Sequence, residues 1–114
     1  MTQLAIRLKA EPVRTIAFGS IGAGYTGIGT AYSDPVRIYY LQNLTDATLM
    51  FSWDGVNDHF PLPSTSFLLI DVTSNKTGMG GSLAIAQGDR TYVKQLGVPT
   101  IGSVYLTIFY AANG

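Results

Sequence analysis

The sequence predicts an all-β fold, in which one domain is built as a sandwich or a barrel of antiparallel strands. Apolar and polar residues alternate with a period of two rather than the 3.6 of a helix, as in VRIYYLQNL at 36–44. Turn-forming residues recur at short intervals, and no segment carries a helical repeat. A chain of 114 residues has the length of one domain with one core, so residues 1–114 are treated as a single β-sandwich domain.

Nine segments have the alternation and the β-branched and aromatic content of strands. In the first, Leu4, Ile6 and Leu8 share one face, and Arg7 and Lys9 share the other. The same alternation runs through TLMFSWD in the middle of the chain and through SVYLTIFY near its end. One segment counts only as an extension, which gives about eight strands. The segments are 4–9, 13–18, 36–44, 48–53, 58–61, 67–73, 82–86, 91–95 and 102–110.

Turn signals separate many of these segments. Gly, Pro, Asn, Asp and Ser favour tight turns because they supply unusual backbone angles or bond to their own backbone. Short strands at this spacing, with no helix between them, are typical of a sandwich or a barrel. The signals are NLTD at 43–46, DG at 54–55, PLPS at 61–64, SN at 74–75, TGMGG at 77–81, GD at 88–89 and GVP at 97–99.

The surface carries unusually little charge. Only 12% of the residues are charged while 46% are hydrophobic, and seven are tyrosine. A freely soluble small monomer normally carries about twice this share of charge on its surface. We therefore expect a partner to cover part of the surface, and we expect the chain to associate with itself as a dimer or trimer.

One predicted strand is a candidate for this contact. FLLIDV, residues 67–72, is apolar on both faces around Asp71. Such a strand is either covered on both sides or lies where another chain packs. We name Phe67, Leu68 and Leu69 as candidate interface residues.

Composition also argues against several partners and chemistries. The seven basic and seven acidic residues balance and are scattered, so we expect no binding to nucleic acid, which needs a concentrated basic surface. The N-terminus lacks the pattern of a signal peptide and no apolar run is long enough to span a bilayer, so we expect no membrane contact. The chain contains no cysteine, which rules out disulfides, thiolate nucleophiles and cysteine metal sites.

The segment FGSIGAGYTGIGTAYSDP, residues 18–35, contains Gly22, Gly24 and Gly27 with the G-x-G-x-x-G spacing of dinucleotide-binding loops. A plausible strand precedes these glycines, and Asp46 lies at the expected distance downstream. The motif binds pyrophosphate only where the glycines open a helix. Here Gly29 and Pro35 interrupt any helix, so we expect a glycine loop between strands and no nucleotide cofactor.

The same segment, residues 19–29, has apolar residues between its glycines. Five glycines make the segment costly to order, so a free chain should leave it mobile. Apolar side chains at Ile21, Tyr25 and Ile28 are unusual for a loop that is only solvated. We therefore predict an arm that orders against a neighbouring subunit, with these three residues at the interface and Tyr25 as the anchor.

The most polar segment is DGVNDH, residues 54–59, which contains the only histidine of the chain, His59. One interpretation is a metal site or a general base. The other is a hairpin turn, because Asp-Gly starts tight turns and Asn and Asp bond to their own amides. The spacing is not that of a calcium loop, and one histidine makes no zinc site alone. We therefore favour the turn and expect no metal.

Signals for catalysis are equally weak. GGSLA, residues 80–84, partly matches the G-x-S-x-G nucleophile elbow, but that elbow needs a strand-to-helix corner, and any triad would depend on His59. No pair of acidic residues is singled out for sugar hydrolysis. We expect no catalytic residues and no enzymatic activity.

Four aromatic residues offer an alternative binding function. Trp53 with Tyr39, Tyr40 and Tyr105 could form a platform for a sugar. These residues lie inside alternating strands, so packing in the core or at an interface is the simpler interpretation. A carbohydrate-binding sandwich module is therefore the alternative to a structural role.

Two stretches of the chain resemble small virion proteins of tailed bacteriophages. These are MFSWDGVNDHFPLPSTSFLLIDVTSNK at 50–76 and GVPTIGSVYLTIFYA at 97–111. The shared pattern is a strand ending in S-x-D-G, a segment of His, aromatic, Leu and Pro, an apolar strand with Asp, and a closing G-x-V-Y strand. Across residues 36–111 the chain looks most like the capsid decoration, or cement, proteins of short-tailed phages.

The resemblance implies a compact jelly-roll sandwich that sits as an oligomer across capsomer junctions. It implies a virion location on the capsid exterior, the major capsid protein and other copies of the chain as partners, and no catalytic residues. A tail or neck component with the same fold is a further alternative, because function resides in the surface and not in the fold. The glycine segment has no counterpart in the resemblance.

Overall fold

The computed structural model describes residues 6–71 and 88–113, and the predicted strand at 82–86 lies outside these described residues. Within them the regular structure consists of nine strands and one turn of 3₁₀ helix at Phe18–Ser20. The strands are β1 (Ile6–Ala10), β2 (Arg14–Ala17), β3 (Thr26–Gly27), β4 (Val36–Asn43), β5 (Leu49–Ser52), β6 (Phe60–Leu62), β7 (Ser66–Asp71), β8 (Tyr92–Gln95) and β9 (Ser103–Asn113). The part of the chain that the structure describes contains no helix long and apolar enough to cross a membrane.

The strands form two sheets in which all neighbours are antiparallel. The first sheet has the order β1-β9-β4-β7, and the second has the order β3-β8-β5-β6. β2 also pairs with β9. Because β1 pairs with residues 109–113 of β9 and β2 pairs with residues 103–106, the two behave as one interrupted strand.

The order of pairing is that of a jelly roll. With β1 and β2 taken together, the first strand of the chain lies beside the last, β3 beside β8, β4 beside β7 and β5 beside β6. This nesting arises when one long hairpin folds over on itself, and it defines the two-sheet jelly roll of eight strands. The predicted antiparallel β-sandwich of about eight strands is therefore confirmed.

The core lies between the two sheets and follows from the alternation of the strands. β4 and β9 contribute Leu41 and Leu106 from the first sheet, and β5 and β8 contribute Phe51 and Val93 from the second, all fully buried. Each such side chain stabilises the fold by about 1.5–3 kcal/mol relative to leaving it in water. Their neighbours along each strand must consequently face outward.

The glycine segment 19–29 packs against its own domain, which corrects part of the arm prediction. Ile21 and Ile28 are buried in the core of this chain, so their side chains cannot contact a neighbouring subunit. Backbone hydrogen bonds to β8 and to the residue before it hold both ends of the segment. The Ile28 N–H donates to the Thr91 carbonyl, and the Gln95 N–H donates to the Gly22 carbonyl. The interface prediction for Ile21 and Ile28 is wrong because their apolar character serves the core.

Buried polar side chains are hydrogen-bonded to one another. The hydroxyls of Tyr32 and Tyr39 both contact the hydroxyl of Thr91, which is also buried. Burial raises the pKa of Tyr32 to about 12 and the pKa of Tyr39 well above its ordinary value. These three side chains tie the glycine-rich connection, β4 and β8 together inside the sandwich.

We predict that Gly102→Ala is strongly destabilising. Gly102 has a φ of +92°, and a Cβ there would overlap the carbonyl oxygen of Leu44 and lie 2.8 Å from the Cα of Thr45. Gly88 has the same φ of +92°, but a Cβ at that position meets no heavy atom of the described residues within 4 Å. The backbone angle alone costs about 1–2 kcal/mol.

Urea unfolding of both variants measures the difference. Gly88→Ala should lose about 1–2 kcal/mol and Gly102→Ala about 3 kcal/mol or more, because only Gly102 also meets another backbone. Equal losses in the two variants would show that the crossing of residues 44 and 102 is not a tight constraint.

Candidate functional site

The outer face of the five-stranded sheet is almost free of charge. The pairing registers place one row of residues from each strand on this side. Asp71, at the end of β7, is the only charged residue among these paired residues, and Arg37 stands at the bulge of β4, outside the register. We call this surface the apolar face; its residues are Leu8, Ala10, Thr15, Ala17, Ile38, Tyr40, Gln42, Phe67, Leu69, Asp71, Ser103, Tyr105, Thr107 and Phe109.

Large side chains on the apolar face are accessible to solvent. Phe67 is 60% exposed, Leu69 55% and Leu8 47%. Tyr40 packs edge-on against Phe67 with ring centroids 5.5 Å apart, so the side chains of β4 and β7 are in contact there. An exposed apolar surface of this kind, larger than scattered single residues, is typical of a protein interaction site.

The outer face of the four-stranded sheet has the opposite character. Lys94 lies over the ring of Tyr25 at 4.8 Å, and Arg90 lies over the ring of Tyr92 at 5.5 Å. Lys94 also pairs with Asp58 at 2.9 Å. We call this surface the charged face. Cations held over aromatic rings and paired with a carboxylate suit a surface that stays in water.

Asp58 links Tyr25 to the charged face. The Tyr25 hydroxyl donates to Asp58 at 2.6 Å, and together with Lys94 this bond lowers the pKa of the carboxyl. Desolvation and the same bond raise the pKa of Tyr25. Tyr25 is thus attached to its own domain through two polar contacts, and its predicted role as an interface anchor stays a prediction.

The polar segment 54–59 is a hydrogen-bonded turn. Asp54 accepts the N–H groups of Asn57 and Val56 at 2.9 and 2.8 Å, and these bonds hold its pKa well below the usual range. His59 Nδ1 accepts the N–H of Trp53 at 2.9 Å. Asp54 and His59 Nδ1 therefore serve the turn, whereas Asp58 binds Tyr25 and Lys94.

No cluster of three or more His, Asp or Glu side chains suited to a metal ion occurs among the described residues. The GGSLA segment at 80–84 lies outside those residues. Gly22 and Gly24 lie in a loop, Gly27 lies in β3, and residues 28–35 contain no helix, so the geometry that holds a pyrophosphate is missing there.

The four aromatic residues considered for sugar binding do not share a surface. Trp53 packs at 5.0 Å from Tyr39 and 5.5 Å from Phe60, at the margin of the core. Tyr40 and Tyr105 lie on the apolar face of the other sheet. No single platform therefore includes all four.

A second exposed apolar cluster lies where the 44–48 and 96–102 loops meet the 3₁₀ turn. The N–H of Phe18 donates to Gly102, the N–H of Leu44 donates to Ser103, and Asp46 accepts from the N–H groups of Thr100 and Ile101. The side chains exposed there are Phe18, Leu44, Leu96, Val98 and Ile101. Sequence reasoning missed this cluster because its residues lie in and beside segments that carry turn signals.

An open groove of about 640 Å³ lies between the β1–β2 connection and residues 29–34. Glu11 and Arg14 in its wall form an ion pair, and the Arg14 guanidinium lies over the ring of Tyr32 at 4.9 Å. Glu11 Oε2 and Arg14 Nε are both buried and have no hydrogen-bond partner among the described residues. The charged residues that line the groove are Glu11, Arg14 and Asp34.

The three predicted interface residues of β7 do not all lie on the same side of the sheet. Phe67 and Leu69 are exposed on the apolar face, whereas Leu68 points inward and packs against the core. Phe67 and Leu69 stay candidates for a contact with a neighbour. Tyr105, a missed member of this surface, alternates with the core residues Val104 and Leu106, which is the signal that could have revealed it.

Comparisons with known proteins add little. No protein-family model and no curated protein matches the chain. A solved structure described as Bacillus endospore appendages, which form disulfide-linked pili, is similar over 96% of this chain and 90% of that one, with 18% identity and a TM-score of 0.44.

We predict that Asn57→Ala raises the pKa of the Asp54 carboxyl. Asn57 donates its side-chain amide to Asp54 Oδ2 at 2.8 Å, so the variant removes one donor and leaves the backbone donors in place. The titration midpoint of Asp54 should move toward the ordinary value of 3.8. The measurement is a pH titration of the ¹³C NMR shift of the Asp54 carboxyl carbon.

The same bonds make the turn sensitive to acid. Because the folded pKa of Asp54 is depressed, the stabilisation that they provide is present above about pH 4 and is lost as pH falls through the folded value.

Val56→Ala keeps every donor to Asp54 and serves as the control for Asn57→Ala. An unchanged Asp54 midpoint in Asn57→Ala would contradict the hydrogen-bonded turn.

Proposed function

We propose that this chain is a non-enzymatic structural subunit of a virion, which uses its apolar face to dock on another protein surface. The observation that carries the proposal is the contrast between the two outer faces of one sandwich. The apolar face carries a single charge at its margin, whereas the charged face carries Lys94, Arg90 and Asp58 in paired contacts. Burial of the first face removes apolar surface from water without stranding charges.

The specific form of the proposal is the decoration of a phage capsid. The supporting observation is the resemblance of residues 36–111 to capsid decoration proteins, whose jelly-roll architecture this chain shares. On this proposal the major capsid protein contacts the apolar face, and the chain lies on the capsid exterior. The charged face then points away from the particle into water.

The non-enzymatic part of the proposal rests on how the polar residues are used. Asp54 and His59 accept backbone N–H groups of their own loop, and Asp58 holds Tyr25 and Lys94. A catalytic acid or base needs its polar atoms free to reach a substrate. These three residues instead stabilise the loop and the face beside it.

The size of the apolar face indicates how it works. Strands about 4.8 Å apart, with same-side residues about 6.8 Å apart, give each residue a flat footprint of about 33 Å². The whole face then covers about 450 Å², below the roughly 800 Å² that each partner buries in a standard interface. One subunit alone makes a small contact, so we expect self-association and particle docking to act together.

We predict that Tyr105→Lys weakens docking about tenfold or more. Tyr105 lies near the middle of the sheet on β9 and is half-exposed, so a lysine there keeps the fold but places a charge on the face that must be desolvated. Met50→Lys is the matched control, because Met50 lies on the outer side of β5 opposite Lys94, on the charged face.

The measurement is cosedimentation of each purified protein with purified phage heads stripped of the chain. Wild type and Met50→Lys should pellet with the heads, and Tyr105→Lys should remain in the supernatant at the same concentration. Equal pelleting of all three proteins would show that the apolar face is not the docking surface.

A further inference from the structure

A jelly roll leaves strand edges whose backbone groups are unpaired, and this chain protects most of them. β3 has two residues, and β6 has three residues and contains Pro61. The edge formed by β1 and β2 is interrupted at residues 11–13, which include Pro12, and it carries Lys9 and Arg14. Short length, proline, interruption and basic residues are the devices by which natural sheets avoid pairing with other chains.

β7 has none of these devices. It runs for six residues, Ser66–Asp71, and contains neither proline nor a basic residue. Its register with β4 is regular from Ser66 to Asp71, with no bulge. Among the described residues it pairs only with β4, and no strand of that part of the chain lies along its other edge. Phe67 and Leu69 stand exposed beside that edge.

We propose that β7 pairs in antiparallel fashion with β7 of a second copy of this chain, about a two-fold axis perpendicular to the sheet. The pairing joins two five-stranded sheets into one continuous ten-stranded sheet. A two-fold axis in this direction keeps the apolar faces of both copies on the same side. The edge itself supplies main-chain hydrogen bonds, and Phe67 and Leu69 supply cross-strand contacts.

Charge favours a second copy in this orientation. Residues 66–70 are uncharged, so two copies of the edge do not repel each other. Asp71 lies at one end of the strand. Antiparallel pairing centred on residue 68 or 69 places the two Asp71 side chains about 14–20 Å apart, at about 3.4 Å per residue. This separation exceeds the Debye length of about 8 Å at physiological salt. Parallel pairing in register would instead place the two Asp71 carboxylates side by side.

The pairing also accounts for the small size of the apolar face. Two faces side by side cover about 900 Å², which reaches the scale of a standard interface. In this respect the inference rests on the proposed function, because the doubled face is the surface that docks on the particle. The pairing itself is measured without any particle, so the two proposals can fail separately.

Analytical ultracentrifugation of wild type, Leu69→Lys, Tyr105→Lys and Met50→Lys tests the pairing. The Leu69→Lys substitution places like charges close together across the new ladder, so this variant should weaken dimerisation about tenfold or more. Tyr105 lies on the apolar face but two strands away from the edge. Tyr105→Lys and Met50→Lys should therefore dimerise like wild type.

Hydrogen exchange on the wild-type protein provides a readout that needs no variant. Alternate amides of an edge strand point away from the sheet, so about half of those in residues 66–71 should exchange rapidly in the monomer. These amides should slow at least about tenfold when the concentration is raised through the dimerisation range.

Three results would overturn the pairing. The first is a wild-type protein that stays monomeric at high concentration. The second is loss of the dimer in both Leu69→Lys and Tyr105→Lys, which indicates apolar faces packed against each other. The third is a dimer in which the alternate amides of β7 keep their fast exchange, which places the contact elsewhere.

Discussion

The ladder between β4 and β9 is the constraint on which the rest of the structure depends. β9 is the longest of the described strands, and it holds β4 along one edge and β1 and β2 along the other. Its register fixes Val104, Leu106 and Ile108 in the core. A slip of one residue would turn these side chains into water and bring their neighbours inward. The residues of the apolar face therefore point outward because the core residues between them point inward.

The register that buries the core residues also decides which residues form the outer faces, and one of these faces is unusual. In most antiparallel sandwiches the outward residues of a strand are polar, and the outer face is adapted to water. On the four-stranded sheet the chain follows that rule with Lys94, Arg90 and their partners. On the five-stranded sheet it carries Tyr40, Phe109 and similar residues instead. The departure costs solubility for an isolated subunit, and the proposed docking would cover this face with a partner.

The strands were predictable because their signals are local. Alternation within VRIYYLQN and SVYLTIFY is visible without knowing what each strand pairs with, and the observed β4 and β9 follow these segments closely. The two-residue β3 was missed because its only signal is a contact with β8, distant in sequence. Ile21 and Ile28 show a related limit: an apolar side chain between glycines indicates burial, but not which chain buries it.

The candidate site was predicted only in part for the same reason. Phe67 and Leu69 stood out because FLLIDV is apolar on both faces, whereas Tyr105 and Leu8 belong to strands that look ordinary one at a time. Only the pairing of five strands brings their outward rows together into one surface. The exposed cluster around Leu44 and Ile101 depends likewise on two loops meeting in space.

The most direct test of this account is an electron-microscopy map of the chain on its particle, at a resolution that separates strands. The account predicts that another protein surface covers the apolar face and that the charged face, with Lys94 and Arg90, points into solvent. A map in which the apolar face is exposed to solvent on the assembled particle, and the charged face forms the contact, would contradict it.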